Sequence, residues 1–295
     1  MRYEIRDPDG RYDFTITGTS FIGQPKDGTA LFVTHKMKNL LGRMQGRRNC
    51  LVFAEEGMDV PEEMTERNRF LFSADAQASY AEFITERRRE EELARAGRRY
   101  TLAPGGYYLG ENVVLGEGAR IEPGCLIDHD VTIGKDARIG FGSRISNARI
   151  GDGFRCGEYA VIGTDAYYPT GDGEDRTQMP SFGLVLIGNH VDIGSHTVVE
   201  RGVMGDTVIQ DYVMIDAAAC VGHEDDIGHH ARITCGVKLG GIVTVGAEAY
   251  IGMNAVVKQR LSIGERAMVG VGSVVVTGVR AETKVFGSPA RKMMI

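Results

Sequence analysis

The segment VGHEDDIG (221–228) places a histidine directly before three acidic residues. A histidine beside a carboxylate is suited to general base catalysis, because the acid can fix the imidazole tautomer and stabilise its protonated form. Glu224, Asp225 and Asp226 could each serve His223 in this way. We take Glu224 as the paired residue, while the choice among the three acids stays open. The chemistry indicated is removal of a proton from an attacking amine or hydroxyl.

Other histidines offer alternatives. His129, in IDHDVT, also precedes an acid and competes with His223 as a candidate base. A zinc site would need three neutral nitrogens that converge tetrahedrally. The nearest approach to such spacing is the pair His223 and His229, six residues apart. The pattern does not favour a zinc site, so we predict no bound metal.

A repeat of six residues must position these side chains. Twelve positions at intervals of six, from Ile209 to Val275, are all Ile, Leu or Val. The same register runs from Leu109 to Ile145, and the residue four places after each anchor is usually small or aliphatic. A period of six is neither helical nor a strand alternation. It is typical of hexapeptide units, each with one short strand and a corner, so we predict a mainly β fold, a parallel β-helix.

The pattern resembles that of left-handed β-helix proteins, in which three units complete a coil of eighteen residues. The resemblance implies the left-handed form and a homotrimer with sites between neighbouring subunits. Gly241 follows His223 by eighteen residues, so we expect it about 5 Å away on the next coil. A glycine allows substrate to approach the backbone, which makes the Gly241 N–H a candidate oxyanion donor. Gly240 is a candidate contact for the acyl donor.

The N-terminal region lacks the repeat. Its short apolar segments predict strands at 29–33, 49–54 and 69–73, with a helix at 35–45 between the first two. A second helix follows, with Ser73 or Asp75 as its N-cap and Gly97 as its end. Residues 1–74 are therefore predicted to form a small α/β domain that binds nucleotide or acceptor, and 75–100 a linking helix.

The β-helix is predicted to cover residues 101–280, with a tail at 281–295. The register fails across 164–183, which we interpret as an inserted loop, and again between Val199 and Ile209. Loops that leave a rigid scaffold often carry function.

Composition narrows the class of protein. The formal net charge of −6 argues against nucleic acid as a partner. No apolar run is long enough to predict a membrane span, and MRYEIRDPDG (1–10) does not resemble a signal peptide. Five cysteines without a C-x-x-C motif indicate a reducing compartment, so we expect a cytoplasmic protein.

The segment 183–228 resembles the UDP-3-O-acylglucosamine N-acyltransferases of lipid A synthesis, which are hexapeptide-repeat acyltransferases. That family carries Asp-Arg-Gly, Asp-Thr and Ile-Asp ahead of Ala-His-Asn. The corresponding letters here are ERG (200–202), DT (206–207), ID (215–216) and GH (222–223). The resemblance implies that His223 is the base and Gly241 the oxyanion donor, and it makes Asp206 and Asp216 candidate acceptor contacts.

The N-terminal segments 29–41 and 69–83 resemble the same family's uridine-binding domain. Phe32 stands at the place of an aromatic that stacks on uracil, and Gln178 in the inserted loop is a further candidate acceptor contact. The chain also departs from the family: Glu224 replaces the Asn after the histidine, and the second uracil-stacking tyrosine has no clear counterpart near Met37. The C-terminal helices that engage acyl carrier protein are missing.

The ending VFGSPAR (285–291) resembles instead the coenzyme A-dependent sugar acetyltransferases of the sialic acid and bacillosamine types. Arg291 and Lys292 are therefore candidate contacts for coenzyme A phosphates. We predict a homotrimeric acyltransferase without a tightly bound cofactor, acting on the amino group of a UDP-linked amino sugar. The donor is an acyl thioester, on acyl carrier protein or as acetyl-CoA. The alternatives are O- or N-acetylation of another sugar, and a non-catalytic scaffold of the same fold.

Overall fold

The computed structural model describes residues 3–6, 11–171, 173–289 and 291–292. The chain divides into two compact units. The first comprises Met1–Gly97, Tyr167–Gly183 and Val203–Gly205, and the second comprises Arg98–Ala166, Leu184–Gly202 and Asp206–Ile295. The segments 167–183 and 203–205, which lie where the repeat fails, thus cluster with the N-terminal residues.

The first unit is an α/β domain. Its antiparallel strands are β1 (Tyr3–Arg6) and β2 (Asp13–Ile16). A parallel sheet follows, formed in spatial order by β3 (Gly18–Thr19), β4 (Thr29–Val33), β5 (Leu51–Glu55) and β6 (Arg69–Ser73). The helices are α1 (Glu62–Arg67), α2 (Ala76–Arg95) and a 3₁₀ helix at His35–Met44. In the inserted loop, the strand Pro169–Thr170 pairs with the strand Thr177–Gln178, and a 3₁₀ turn at Gly173–Asp175 lies between them.

Both faces of the parallel sheet are covered, which explains why every residue of β4 is buried. On one face, the rings of Phe32 and Phe53 lie 5.2 and 5.8 Å from the ring of Tyr80 in α2. The other face packs against the buried side chain of Met44. Asp75 caps α2 as predicted, because its carboxylate accepts a hydrogen bond from the Ala78 N–H at 2.9 Å.

The second unit is a stack of short parallel strands on three faces, with one added antiparallel strand at each end. The first face contains Arg120–Ile121, Arg138–Ile139, Arg155–Cys156, Asp192–Ile193, Met214–Ile215, Arg232–Ile233, Tyr250–Ile251, Met268–Val269, Lys284–Phe286 and Arg291–Lys292. The second contains Thr101–Leu102, Tyr108–Leu109, Leu126–Ile127, Arg144–Ile145, Val161–Thr164, Val198–Glu200, Cys220–Val221, Lys238–Leu239, Val256–Val257 and Val274–Val275. The third contains Val114–Leu115, Thr132–Ile133, Ala148–Ile150, Val185–Ile187, Thr207–Ile209, Asp226–Ile227, Thr244–Val245 and Ser262–Ile263.

The period of six follows from this arrangement. Ile209 pairs with Ile227, Ile227 with Val245, and Val245 with Ile263, so one coil takes eighteen residues and each anchor stacks on the next. All four side chains are at most 1% exposed. Burial of each such side chain stabilises the folded state by roughly 1.5–3 kcal/mol, so the column of anchors holds successive coils together.

The coil is interrupted where the sequence leaves its register. Ile150 pairs with Ile187 across the inserted loop, and Val199 pairs with Val221, twenty-two residues later. The coil also shortens by one residue where Ile133 pairs with Ile150, and by two residues where Val269 pairs with Val285. The predicted fold is confirmed: the chain is mainly β, a left-handed parallel β-helix with a small N-terminal α/β domain and a following helix.

Candidate active site

His223 lies at a corner of the coil, between the strands Cys220–Val221 and Asp226–Ile227. The corner needs a left-handed backbone at its third residue, Glu224, whose φ is +52°. Its first residue, Gly222, has no room for a side chain, because a Cβ there would lie 2.8 Å from the Gly240 carbonyl carbon on the next coil. The two corners that carry His223 and Gly241 are therefore packed directly against each other.

The imidazole of His223 is paired with Glu224. Nδ1 of the histidine and Oε2 of the glutamate are in hydrogen-bond contact, and the two side chains are only 13% and 9% exposed. The backbone of Glu224 is held in turn, since its N–H donates to Oγ1 of Thr207 at 2.9 Å. A carboxylate on Nδ1 favours the tautomer with its proton there, which leaves the Nε2 lone pair as the basic site.

Nε2 of His223 lies over Gly241. A Cβ at residue 241 would be 2.2 Å from Nε2, so only glycine fits beneath the imidazole in this position. The two corners are joined by the Ile242 N–H, which donates to the His223 carbonyl at 2.8 Å. Within the described part of the chain, the Gly241 N–H has no hydrogen-bond acceptor. A basic nitrogen and an open amide donor thus share one place, as the spacing of eighteen residues predicts.

The three acids after His223 have separate places. Asp225 points into the coil and is fully buried, where Oδ2 accepts from the Gly222 N–H at 2.8 Å and Oδ1 from the Val243 N–H at 2.7 Å. Burial raises the pKa of Asp225 well above its ordinary value, and Glu200 and Glu224 add to the effect. Asp226 accepts from Nε2 of Gln210 at 3.1 Å. Glu224 is therefore the acid on the imidazole.

Glu200 joins this group, although sequence reasoning gave it no chemical role. Burial raises the pKa of the Glu200 carboxyl, whereas the imidazole and the backbone N–H of His223 act to lower it. Two acids thus act on one histidine from two successive coils. Val199 pairs with Val221, twenty-two residues later, so counting eighteen residues back from His223 does not lead to Glu200. The signal in the sequence is an acid that ends a regular strand next to an off-period segment.

His129, the alternative base, lies at an equivalent corner in a different setting. Its Nδ1 accepts a hydrogen bond from the Glu111 N–H at 2.7 Å, and the ring of Tyr100 covers it at 4.6 Å. The hydroxyl of Tyr100 donates to Asp128 at 2.7 Å. Because Nδ1 is occupied by a donor, the proton of a neutral imidazole lies on Nε2. His129 therefore has no carboxylate on Nδ1, in contrast to His223.

Three of the predicted acceptor contacts lie in different parts of the chain. Phe32 is only 4% exposed and packs on Tyr80, so its ring would have to be uncovered before a base could stack on it. Asp206 is half-buried and accepts from the Leu184 N–H at 2.9 Å. Gln178 is exposed in the inserted hairpin.

The remaining predicted contacts are Asp216 for the acceptor, and Gly240, Arg291 and Lys292 for the acyl donor. Asp216 is exposed at a corner, and its carboxylate accepts from the Ala217 N–H. Gly240 precedes Gly241 and donates its N–H to the Val257 carbonyl at 2.9 Å. Lys292 is exposed in the last strand, and the side chain of Arg291 lies outside the described part of the structure. The roles of all these residues stay predictions.

Two further findings concern the described residues alone. They contain no group of three or more His, Cys, Asp or Glu side chains arranged to hold a metal ion. None of the helices described is both long and apolar enough to cross a membrane.

Comparison with known proteins shows what the repeat and the fold are similar to. Residues 112–147 match the family model of the bacterial transferase hexapeptide, six repeats. A UDP-3-O-acylglucosamine N-acyltransferase of Herminiimonas arsenicoxydans is 34% identical over 121 residues, which are 41% of this chain and 35% of that protein. UDP-3-O-acylglucosamine N-acyltransferase 1 of Gloeobacter violaceus is 39% identical over 98 residues, covering 31% and 28% of the two chains. The chain spans about a third of the length of the curated relatives it matches.

Solved structures share the fold. The UDP-N-acetylglucosamine acyltransferase of Campylobacter jejuni superposes with a TM-score of 0.58 at 22% identity, covering 66% of this chain and 75% of the other. The enzyme of the same name from Francisella novicida has a TM-score of 0.54 at 24% identity, with 63% and 70% covered.

Proposed function

We propose that this protein is an acyltransferase that moves an acyl group from a thioester to the amino group of a UDP-linked amino sugar. The observation that carries the proposal is the place of His223, with Glu224 on Nδ1 and Nε2 over Gly241. The substrate class rests on the relatives, which are named UDP-3-O-acylglucosamine N-acyltransferases.

The proposed reaction uses the dyad as its base. Nε2 of His223 removes a proton from the acceptor amine as nitrogen attacks the thioester carbonyl. The C–N bond forms, the Gly241 N–H stabilises the oxyanion, and the C–S bond then breaks to release the thiolate. The proton on the imidazolium passes to the thiolate or to solvent. The Glu224 carboxylate stabilises the imidazolium while it exists, and the nearby Glu200 supports the same charge.

The donor is either acyl carrier protein with a 3-hydroxyacyl chain or acetyl-CoA, and the acceptor is a nucleotide sugar. No tightly bound cofactor is needed for this chemistry. We further propose a homotrimer, since the protein shares its fold with the hexapeptide-repeat acyltransferases. Sedimentation equilibrium of the full chain tests this part: a single-chain mass would contradict it.

The function is tested by incubating the full chain with UDP-3-O-acylglucosamine and, separately, with other UDP-amino sugars. Each acceptor is combined with 3-hydroxyacyl-acyl carrier protein or with acetyl-CoA, and products are identified by mass spectrometry. Transfer with one donor, lost in His223→Ala, supports the proposal and identifies the donor. No transfer with any pair, despite measurable UDP binding, would favour a non-catalytic scaffold.

A further inference from the structure

The interior of the coil contains a carboxylate where an aliphatic side chain is the rule. The position two residues before each buried anchor carries small apolar residues in the neighbouring units, all at most 2% exposed: Val213, Ala219, Ala231, Val237 and Val243. Asp225 occupies the same position and is likewise fully buried. Burying a carboxylate costs desolvation free energy that its hydrogen bonds must offset. Asp225 therefore does not stabilise the coil through apolar burial as its neighbours do.

One oxygen of Asp225 replaces a bond of the regular ladder. At other corners, the first glycine donates its N–H to the anchor carbonyl one coil further on, as Gly228 does to Val245 at 2.7 Å. Gly222 donates instead to Oδ2 of Asp225. The strand pairing shows the same change. Cys220 pairs with Lys238, but the pairing of Val221 with Leu239 that would follow is missing. The corresponding rungs one coil before and one coil after are complete.

The second oxygen holds the other corner. The fourth residue of a regular corner closes the turn on its own glycine, as the Ala231 N–H does on the Gly228 carbonyl at 3.2 Å. Val243, the fourth residue of the Gly241 corner, donates to Oδ1 of Asp225 at 2.7 Å instead. The carboxylate thus takes one N–H from the corner of His223 and one from the corner of Gly241.

Hydroxyl groups elsewhere in the interior make a different connection. Oγ of Ser143 accepts from the Ala160 N–H at 3.0 Å and donates to the Gly157 carbonyl at 2.9 Å. Both of its partners belong to one corner, so the hydroxyl stabilises that corner alone. A carboxylate has acceptors only, and it can therefore draw together N–H groups from two successive corners.

We propose that Asp225 is a positioning residue that sets the separation of the His223 and Gly241 corners, and so the place of the base relative to the oxyanion donor. This inference rests on the proposed function. An aliphatic side chain at residue 225 would let the Gly222 N–H bond to the Leu239 carbonyl, and the regular ladder would close under the histidine. The cost of a small misplacement falls on the chemical step, because the base acts on the attacking nitrogen and the amide donor acts on the oxygen of the same tetrahedral intermediate.

The test compares Asp225→Val and Asp225→Asn with the wild-type full chain in the mass-spectrometric transfer assay. Asp225→Val is expected to lower kcat about 100-fold with KM within about twofold, while Tm is unchanged or higher. Asp225→Asn retains one acceptor and is expected to lie between. Ser143→Ala, which removes an interior hydrogen-bonding group at a distant corner, is the matched control and should keep wild-type kcat. A crystal structure of Asp225→Val is expected to show the Gly222 N–H bonded to the Leu239 carbonyl.

The outcomes separate the two proposals. Wild-type kcat in both Asp225 variants, or a crystal structure of Asp225→Val with the corners unmoved, would overturn the positioning role and leave the proposed function standing. If the wild-type chain itself transfers no acyl group, the proposed function fails and this role fails with it. If Asp225→Val does not fold, the near-isosteric Asp225→Asn still decides, because the proposal requires a loss of kcat in a variant that remains folded at the assay temperature.

Discussion

The imidazole of His223 occupies the space that a side chain at Gly241 would need, with Nε2 2.2 Å from the place of the missing Cβ. The residues are eighteen apart in sequence and adjacent on successive coils. The proposed base and the proposed oxyanion donor are therefore held by the same hydrogen bonds that hold successive coils together, including the bond from the Ile242 N–H to the His223 carbonyl.

Gly241→Ala is expected to displace the imidazole and lower kcat about 100-fold, because a 1 Å shift of a catalytic group costs about that much. The rate of acyl transfer measures it. Gly97→Ala is the control, since a Cβ at Gly97 would meet no atom within 4 Å. Equal rates for Gly241→Ala and the wild type would show that Nε2 does not act over this glycine.

Glu224→Gln is expected to lower kcat on the order of 100-fold, because an amide can present the wrong hydrogen-bonding group to Nδ1 and does not stabilise the imidazolium. The pH profile of kcat should also shift, since the neighbouring charge is lost. Asp226→Asn is the companion variant, as Asp226 bonds to Gln210 and not to the imidazole. A loss of the same size in both variants would refute a specific role for Glu224.

The stability of the protein is expected to depend on pH through Asp225. Its pKa is raised on folding, so the native chain binds more protons than the unfolded chain above the ordinary value of 3.8. The free energy of unfolding therefore falls as pH rises from about 4 through the raised pKa. Relative to Asp225→Asn, which does not titrate, the wild type should lose Tm over that range. Glu200, whose pKa is also raised by burial, is present in both proteins and contributes to the pH dependence of each. A difference in Tm that is constant with pH would contradict this prediction.

Ile242 is expected to strain the Gly241 corner. Its φ is +65°, a left-handed conformation that is unfavourable for a β-branched residue. Asn254 adopts the same conformation at another corner, two hexapeptide units later. Ile242→Asn should therefore stabilise the protein by about 1 kcal/mol and raise Tm by a few degrees, as calorimetry would detect. Ile242→Val keeps the branch and should show no gain; a lower Tm for Ile242→Asn would argue against strain at this residue.

The amino-acid sequence by itself determined the coil and the meeting of His223 with Gly241. Anchors at intervals of six indicate repeated units that share one interior, and the resemblance to left-handed β-helix proteins implies three units to a coil. Residues eighteen apart are therefore neighbours wherever the repeat is unbroken, as it is from Ile209 to Val275. The sequence also predicted the strands at 29–33 and 69–73, because short apolar runs there are bounded by polar segments.

Only the tertiary structure decided which acid serves the histidine and what the others do. Glu224, Asp225 and Asp226 are equivalent as a string of letters, but the left-handed backbone at Glu224 directs successive side chains to the imidazole, into the coil and to Gln210. Glu200 lies near His223 because the chain leaves the coil between these two residues. The extra residues change the spacing of paired residues from eighteen to twenty-two, so the repeat period did not predict this contact. Phe32 proved to be covered by Tyr80, since the packing of a helix on a sheet depends on contacts far apart in sequence.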